Sequence, residues 1–208
     1  MMIPHYEHND SNNFIAGGYI DEKVCDNLIS YFEKCKYKEN GKVGSSPSLS
    51  QEEKSLPLID DKILHSVKKS TDLGIQHINK DKEPTDYLKQ LDKVLELYKL
   101  KYKYCDEGQG RWNLVENWNI QRYIPGEGFY KFHTERIGID SRDRHLVFMT
   151  YLNDVTDGGE TEFYHQELKI KPKKGLTIVW PAGFTHVHRG ITSNTETKYI
   201  ATGWYGYY

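Results

Sequence analysis

The chain has 208 residues, which is enough for one domain with a full core and cramped for a second one. Its 28 basic and 30 acidic residues leave a formal net charge of -2, so no overall field attracts it to nucleic acid or to an anionic membrane. No run approaches the roughly 18 apolar residues of a membrane span, and the first residues lack the order of a signal peptide. We therefore expect a cytoplasmic protein without membrane association, for which nucleic acid is a disfavoured partner.

The cysteines agree with a reducing compartment. Cys25, Cys35 and Cys105 are odd in number and widely spaced, and no C-x-x-C pair occurs. This arrangement is typical of unpaired thiols and argues against a disulfide framework or a zinc site. We expect the three side chains to act as small apolar residues in helices.

Residues 1–110 are predicted to form a helical annex with one long loop. Asp21 can cap a helix over residues 22–36, whose apolar side chains fall on one face. A second amphipathic helix is predicted over residues 86–105, with one apolar stripe that we expect to lie on a sheet. Between them, residues 41–58 are polar and rich in Gly, Ser and Pro. Such a loop is either an active-site lid or an ordinary surface loop, and the sequence leaves both open.

Residues 111–208 change to short runs of β-branched and aromatic residues separated by turn signals. We predict about eight strands here. Their approximate ranges are 113–123, 129–134, 145–152, 161–164, 167–171, 176–180, 185–189 and 197–206. Two packed sheets in a jelly roll accommodate that number. The whole chain, 1–208, is thus predicted to be a single mainly β domain with a helical annex, in which the later residues form the jelly-roll core.

One motif in the predicted core has the composition of a metal site. His133 and Glu135 are two residues apart on a predicted strand, so their side chains leave the same face of the sheet. His188, on a later predicted strand, completes a set of two imidazoles and one carboxylate. Such a set holds a divalent iron ion on one side and leaves positions open on the other. The sequence therefore predicts an iron(II) site.

The residues around this motif resemble the iron(II)/2-oxoglutarate-dependent dioxygenases, and within them the prolyl-4-hydroxylase type. The similar segments are 121–126, 130–135, 151–154, 158–163, 173–175 and 197–204. They span most of residues 113–208 in the family's order and roughly its spacing, and the stretch 144–154 also resembles phage-encoded members. One departure is that the family usually has Asp where this chain has Glu135, although some relatives tolerate Glu.

The resemblance implies a double-stranded β-helix with the N-terminal helices packed on the sheet, and 2-oxoglutarate as co-substrate. Lys198, ten residues after His188, matches the cation that pairs with the far carboxylate of 2-oxoglutarate. Tyr123 and Tyr151 match positions that supply hydroxyls to the same co-substrate, and Trp204 matches an aromatic of the pocket wall. Molecular oxygen is the implied second co-substrate, and ascorbate is a candidate reductant.

His186 competes with His188 for the role of the distal iron ligand, because residues two apart on one strand share a face. The family's ten-residue spacing to Lys198 selects His188. His186 is then predicted to be a neighbouring pocket residue or to support the ligand from outside.

The sequence determines the substrate least. We expect Lys69, Thr71 and Arg136 at the mouth of the substrate cleft, the first two because related enzymes carry a basic, hydroxyl-bearing strand there. The resemblance implies hydroxylation of prolyl residues in a peptide or protein, with decarboxylation of 2-oxoglutarate to succinate. An oxygenase acting on a nucleobase or a free amino acid is one alternative. A non-catalytic jelly-roll module that binds a sugar or a partner protein is the other, and it has no need of Lys198.

Overall fold

The computed structural model describes residues 11–41 and 66–208. In this part of the chain the helices are α1 (Glu22–Lys34) and α2 (Lys82–Lys101). The strands are β1 (Ala16–Tyr19), β2 (Glu39–Asn40), β3 (Lys68–Lys69), β4 (Thr71–Ile75), β5 (Trp112–Leu114), β6 (Trp118–Tyr123), β7 (Gly128–Phe129), β8 (Arg144–Tyr151), β9 (Thr161–Phe163), β10 (Leu168–Ile170), β11 (Leu176–Pro181), β12 (His188–Gly190) and β13 (Lys198–Tyr207). The predicted mainly β class is confirmed.

The strands form one large sheet and two small ones, and the pairings are antiparallel. The large sheet has the order β1-β11-β8-β13-β6-β4-β2, and β5 pairs with β13 beside it. The small sheets are β10-β9-β12 and the pair β3-β7. Strand β12 also meets the chain at His133 through an isolated antiparallel bridge between His133 and His188. This bridge joins the small sheet to the segment that carries the metal motif.

Strand β8 shows how the large sheet separates two apolar clusters. Its residues alternate between the clusters with the period of two expected for a strand: Leu146 and Phe148 belong to one, and Val147 and Met149 to the other. Burial on both faces explains why this stretch is a continuous apolar run. The sheet is therefore covered on each side.

The first cluster contains the apolar faces of both helices. Phe32 of α1 meets Tyr199 of β13 edge to face at 5.9 Å between ring centroids, and Tyr87 of α2 lies 5.0 Å from Trp118 of β6. The Tyr87 hydroxyl hydrogen-bonds the hydroxyl of Thr150 in β8 at 2.9 Å. These contacts leave the opposite face of the sheet for the second cluster, which packs against the small sheet and borders the candidate site.

Several predicted boundaries were wrong in the first half of the chain. Helix α2 begins at Lys82, four residues before the predicted start, because Pro84 falls in the first turn, where its missing N–H is not needed. Strands β1 and β2 lie in the predicted annex, where no strand was expected, whereas β3 and β4 lie where the resemblance implied a basic, hydroxyl-bearing strand. Of these, β4 reads Thr-Asp-Leu-Gly-Ile, and Asp and Gly lower the β-strand signal. The predicted lid, residues 41–58, lies outside the described residues except for Gly41.

Three predicted strands in the second half are interrupted. The first divides into β5 and β6 around residues 115–117. In place of the second predicted strand, 129–134, the structure has the short strand β7 and an isolated bridge at His133. His133 and Glu135 are therefore not on one continuous strand. The predicted strand 185–189 overlaps a short 3-10 helix, Phe184–His186, and β12 begins only at His188.

Cys25, Cys35 and Cys105 are all free thiols, as predicted. Among the described residues, neither helix has the length and apolarity needed to cross a membrane.

Candidate metal and co-substrate site

The structure brings the three predicted metal ligands together. One ligand atom from each of His133, Glu135 and His188 lies within 4.8 Å of the others. Oε1 of Glu135 is 3.4 Å from Nε2 of His133 and 3.4 Å from Nε2 of His188. The His133–His188 bridge places the two imidazoles side by side through a reciprocal pair of 2.9 Å backbone hydrogen bonds. Three donors thus converge on one point without a shared continuous strand.

Both imidazoles are oriented by backbone carbonyls. Nδ1 of His133 is 3.1 Å from the carbonyl oxygen of Lys131, and Nδ1 of His188 is 2.9 Å from that of His186. A carbonyl only accepts, so each Nδ1 carries a proton. Each Nε2 faces Glu135: it donates to the carboxylate when the ring is protonated, and it presents a lone pair when the ring is neutral. The ring of His133 also stacks on Phe129 at 3.6 Å between centroids. This support from outside the ligand set is typical of metal-binding histidines.

The protonation states of His133 and Glu135 also favour the binding of a metal cation. Burial and the neighbouring His188 lower the pKa of His133. Burial opposes ionisation of Glu135, but hydrogen bonds and charge attraction from His133 and His188 in their protonated forms outweigh it and hold the pKa of Glu135 well below its usual value. Near neutral pH the carboxylate is ionised and His133 is neutral, which are the states that bind a metal. Two imidazole nitrogens and one carboxylate oxygen fit iron(II).

A cavity of about 770 Å³ opens on these ligands. Its walls include Tyr123, Trp180, Lys198 and Trp204, so the predicted co-substrate lysine and pocket aromatic lie with the metal ligands. Further lining residues that the sequence did not single out are Lys68, Asp72, Gln121, Phe129, Phe132, Arg144, Met149, Thr161 and Arg189.

Lys198, the first residue of β13, is buried with only 5% of its surface exposed. Its Nζ donates to the carbonyl oxygen of Gly159 at 3.0 Å, and no described carboxylate lies within ion-pair distance. Burial, partly offset by Glu160, lowers the pKa of Lys198 to about 8. A buried ammonium without a carboxylate is costly, so this end of the cavity favours an anion.

Tyr123 also faces the cavity, but its hydroxyl proton is already engaged. The hydroxyl donates to Oε1 of Gln121 at 2.6 Å. The Gln121 amide is oriented in turn, because its Nε2 donates to Oδ2 of Asp72 at 3.2 Å and a carboxylate only accepts. Lys68 and Ser70 donate to the same carboxylate at 2.6 and 2.7 Å. The Tyr123 groups available to Lys198 are therefore the face of the ring and the lone pairs of the hydroxyl oxygen. The Lys198 Nζ lies 5.0 Å from the centroid of the Tyr123 ring.

Tyr151 does not line the cavity. It is fully buried in the second cluster, and its hydroxyl donates to Oγ1 of Thr161 at 2.6 Å, with the carbonyl of Ile170 at 3.1 Å. Thr161 does line the cavity. Any effect of Tyr151 on a ligand is therefore transmitted through Thr161. Within the described part of the chain, the Thr161 hydroxyl donates only to the sulfur of Met149 at 3.8 Å, which is a weak acceptor.

His186 is buried, but its side chain points away from the metal ligands. Its Nε2 is 3.0 Å from the carbonyl oxygen of Asn13, and its Nδ1 is 2.9 Å from Oγ1 of Thr185. The expectation that His186 and His188 share a face was wrong, because the 3-10 turn before β12 rotates the chain between them. His186 still supports the cluster, since its backbone carbonyl fixes the His188 ring.

The three residues expected at the substrate mouth do not line the cavity. Lys69 is half-exposed and pairs with Glu127 at 3.6 Å, while the Thr71 hydroxyl is 3.5 Å from Nη2 of Arg122. Arg136 is exposed and lies beside Gly183. Their sequence neighbours Lys68 and Asp72 occupy the cavity wall instead. Adjacent strand residues face opposite ways, so an error of one position in register reverses the face.

Residues 118–206 match the model of the 2OG-Fe(II) oxygenase superfamily. This segment begins with β6 and contains the three clustered ligands, the cavity threonine and Lys198. The matched segment is therefore similar to the 2OG-Fe(II) oxygenase superfamily, whose members use Fe(II), 2-oxoglutarate and molecular oxygen. The resemblance drawn from the sequence motifs is confirmed.

One curated relative is named as a prolyl hydroxylase. The chain is 30% identical over 115 residues to an Arabidopsis thaliana protein named as a probable prolyl 4-hydroxylase. That match spans 43% of this chain and 40% of the relative's length.

Solved structures of prolyl hydroxylases share the fold. A viral collagen prolyl hydroxylase of Paramecium Bursaria Chlorella virus-1, in a 2-oxoglutarate complex, has a TM-score of 0.64 at 21% identity, over 94% of this chain and 97% of that one. A prolyl hydroxylase of Trichoplax adhaerens, in complex with a hypoxia inducible factor peptide fragment, has a TM-score of 0.68 at 15% identity, over 94% and 84%. A Pseudomonas putida prolyl-4-hydroxylase has a TM-score of 0.63 at 15% identity, over 95% and 94%.

Proposed function

We propose that the protein is an iron(II)- and 2-oxoglutarate-dependent dioxygenase that hydroxylates a C–H bond. The observation that carries this proposal is the shared cavity of His133, Glu135, His188 and Lys198. A structural metal site or a sugar-binding jelly roll has no need of a buried lysine such as Lys198, which has no carboxylate partner among the described residues. A dicarboxylate that reaches from the metal to the lysine explains both features.

Each site residue has a definite task in this proposal. His133, Glu135 and His188 hold the iron on one side, so that its remaining positions face the cavity. Lys198 pairs with the far carboxylate of 2-oxoglutarate, and the Thr161 hydroxyl donates to the same carboxylate. Trp204 forms part of the wall and contacts Glu135. When bound, iron(II) and 2-oxoglutarate supply the oxidising chemistry, in which oxygen hydroxylates the substrate and 2-oxoglutarate is decarboxylated to succinate.

The proposed substrate is a prolyl residue in a peptide or protein. The name of the Arabidopsis relative and the peptide bound to the Trichoplax structure support this class. The cavity is within the usual range for sites that take small molecules, so it has room for 2-oxoglutarate and one substrate side chain. A nucleobase or a free amino acid is the competing substrate class, and the -2 charge of the chain disfavours nucleic acid.

Succinate formation tests the proposal. The purified protein is supplied with iron(II), 2-oxoglutarate, ascorbate and oxygen, together with proline-containing peptides, free amino acids or single-stranded nucleic acid in separate reactions. Succinate and a hydroxylated peptide should appear together, and His133→Ala should form neither. Stimulation by nucleic acid or a free amino acid would reassign the substrate. No succinate under any condition, with no 2-oxoglutarate binding, would favour the non-catalytic module.

We further propose the domain organisation expected from the sequence: one domain over residues 1–208, with residues 1–110 as annex and residues 111–208 as a double-stranded β-helix core. The joint cluster of helix and sheet residues supports this organisation. A cytoplasmic location is likewise proposed, on the support of the free cysteines.

A further inference from the structure

Glu135 raises a structural problem because the family usually places the shorter Asp at this ligand position. Glutamate has one more side-chain torsion, so its carboxylate has more freedom to turn away from the metal. In this structure Oε1 faces both imidazoles at 3.4 Å, while Oε2 points the other way. Something must hold this arrangement for Glu135 to act as a dependable ligand.

Oε2 of Glu135 has two partners on neighbouring strands. The indole Nε1–H of Trp204, in β13, donates to it at 3.0 Å. Nη1 of Arg144, at the start of β8, is 3.7 Å away and also donates to the backbone carbonyl of Glu135 at 3.0 Å. Both the carboxylate and the backbone of this ligand are therefore engaged from the side away from the histidines.

Arg144 and Trp204 are themselves held in place. The Arg144 guanidinium lies 3.6 Å from the ring centroid of Trp204. Its other edge binds Glu116 through Nε at 3.1 Å and Nη2 at 2.8 Å, a forked contact that fixes the plane of the guanidinium. Glu116 thus holds Arg144, Arg144 stacks on Trp204, and both Arg144 and Trp204 contact Glu135.

We infer that Trp204 and Arg144 are positioning residues that adapt the metal site to glutamate. They hold Oε2 so that Oε1 stays directed at the metal, and the extra torsion of Glu135 is restrained before the metal binds. Groups that orient a metal ligand typically contribute a factor of roughly 10 to 100 in metal affinity. Trp204 thus has a task beyond that of a wall aromatic, and it concerns metal binding and not 2-oxoglutarate.

A metal titration without co-substrate tests this inference. Iron(II) affinity is measured anaerobically by competition with a chromogenic chelator. Trp204→Phe keeps the ring but removes the N–H donor, and it should weaken iron(II) binding by roughly tenfold to a hundredfold. Trp112→Phe is the matched control, because its indole Nε1 has no hydrogen-bond partner in residues 11–41 and 66–208 and the side chain does not line the cavity. This control should bind iron(II) like the wild type.

A double-mutant cycle separates positioning from general damage to the structure. Glu135→Asp removes the methylene that lets one carboxylate reach both the metal and the indole, so Trp204→Phe should have little further effect in that background. Arg144→Met should weaken iron(II) binding in the same direction, and it serves as the second variant if Trp204→Phe fails to fold by circular dichroism. The inference would be overturned if Trp204→Phe and Trp112→Phe bound iron(II) with equal affinity. It would also be overturned if Trp204→Phe weakened iron(II) binding by the same factor in the wild-type and the Glu135→Asp backgrounds.

This inference rests on the proposed iron site, but the titration distinguishes an error in the site from an error in the role of Trp204. A wild-type protein that binds no iron(II) would refute the site itself. A wild-type protein that binds iron(II), with a Trp204→Phe variant that binds it equally well, would refute only the role of Trp204.

Discussion

Replacing Lys198 by alanine is expected to weaken 2-oxoglutarate binding without affecting iron(II). The pKa of Lys198 falls from 10.5 to about 8 in the folded protein, chiefly because burial disfavours the ammonium. At 1.36 kcal/mol per pKa unit this corresponds to about 3 kcal/mol of lost solvation that an incoming carboxylate can recover. Losing that pairing should weaken binding on the order of a hundredfold.

The pH dependence gives a second signature of the same pairing. Below pH 8 Lys198 is already protonated, so the wild-type affinity for 2-oxoglutarate should be nearly constant. Above pH 8 the free protein carries a neutral amine that must take up a proton on binding, so affinity should fall by about tenfold per pH unit. Lys198→Ala should lack this decline.

The assay is an anaerobic titration of 2-oxoglutarate into the iron-loaded protein, followed by metal-to-ligand charge-transfer absorption. Lys198→Arg should retain part of the binding, although a planar guanidinium needs more room than an ammonium. Lys173→Ala is the matched control, since that lysine is exposed and away from the cavity. Equal affinities of wild type and Lys198→Ala would mean that the cation lies elsewhere or that 2-oxoglutarate is not the co-substrate.

Three further predictions concern the other site residues. Alanine at His133, Glu135 or His188 should abolish turnover with an unchanged circular dichroism spectrum, whereas His186→Ala should still bind iron(II) because its contribution is a backbone carbonyl; iron loss in His186→Ala alone would reverse this assignment. Tyr123→Phe should change 2-oxoglutarate affinity by less than about threefold, because the hydroxyl proton is committed to Gln121; a tenfold loss in the same titration would show that the proton turns to the ligand. Thr161→Val should weaken 2-oxoglutarate by roughly tenfold or more, as expected for a lost hydrogen bond to a charged group, and an unchanged affinity would exclude this contact.

Local patterns in the sequence were sufficient to predict much of the fold and the composition of the metal site. Strands β8 to β11 and β13 could be predicted because each is a β-rich run between turn residues, a signal that depends on neighbours in sequence. The spacing of His133, Glu135, His188 and Lys198 was likewise visible without coordinates. The residue pattern did not predict the short strands β2, β3 and β4, because their charged and glycine residues carry little β signal. A strand near Lys69 and Thr71 was implied by the resemblance alone.

Only the tertiary structure decided which side chains face the cavity. Lys68 lines it and Lys69 does not, although the two are adjacent, identical residues of one strand. Tyr151 does not reach the cavity itself but hydrogen-bonds Thr161, which lines it. Arg136 was expected at the mouth of the substrate cleft, whereas it is Arg144 that lines the cavity and contacts Glu135. The physical reason is that facing depends on strand register, on turns such as the 3-10 turn at His186, and on partners from distant segments. The sequence specifies the donors, and the packing of the strands determines their directions.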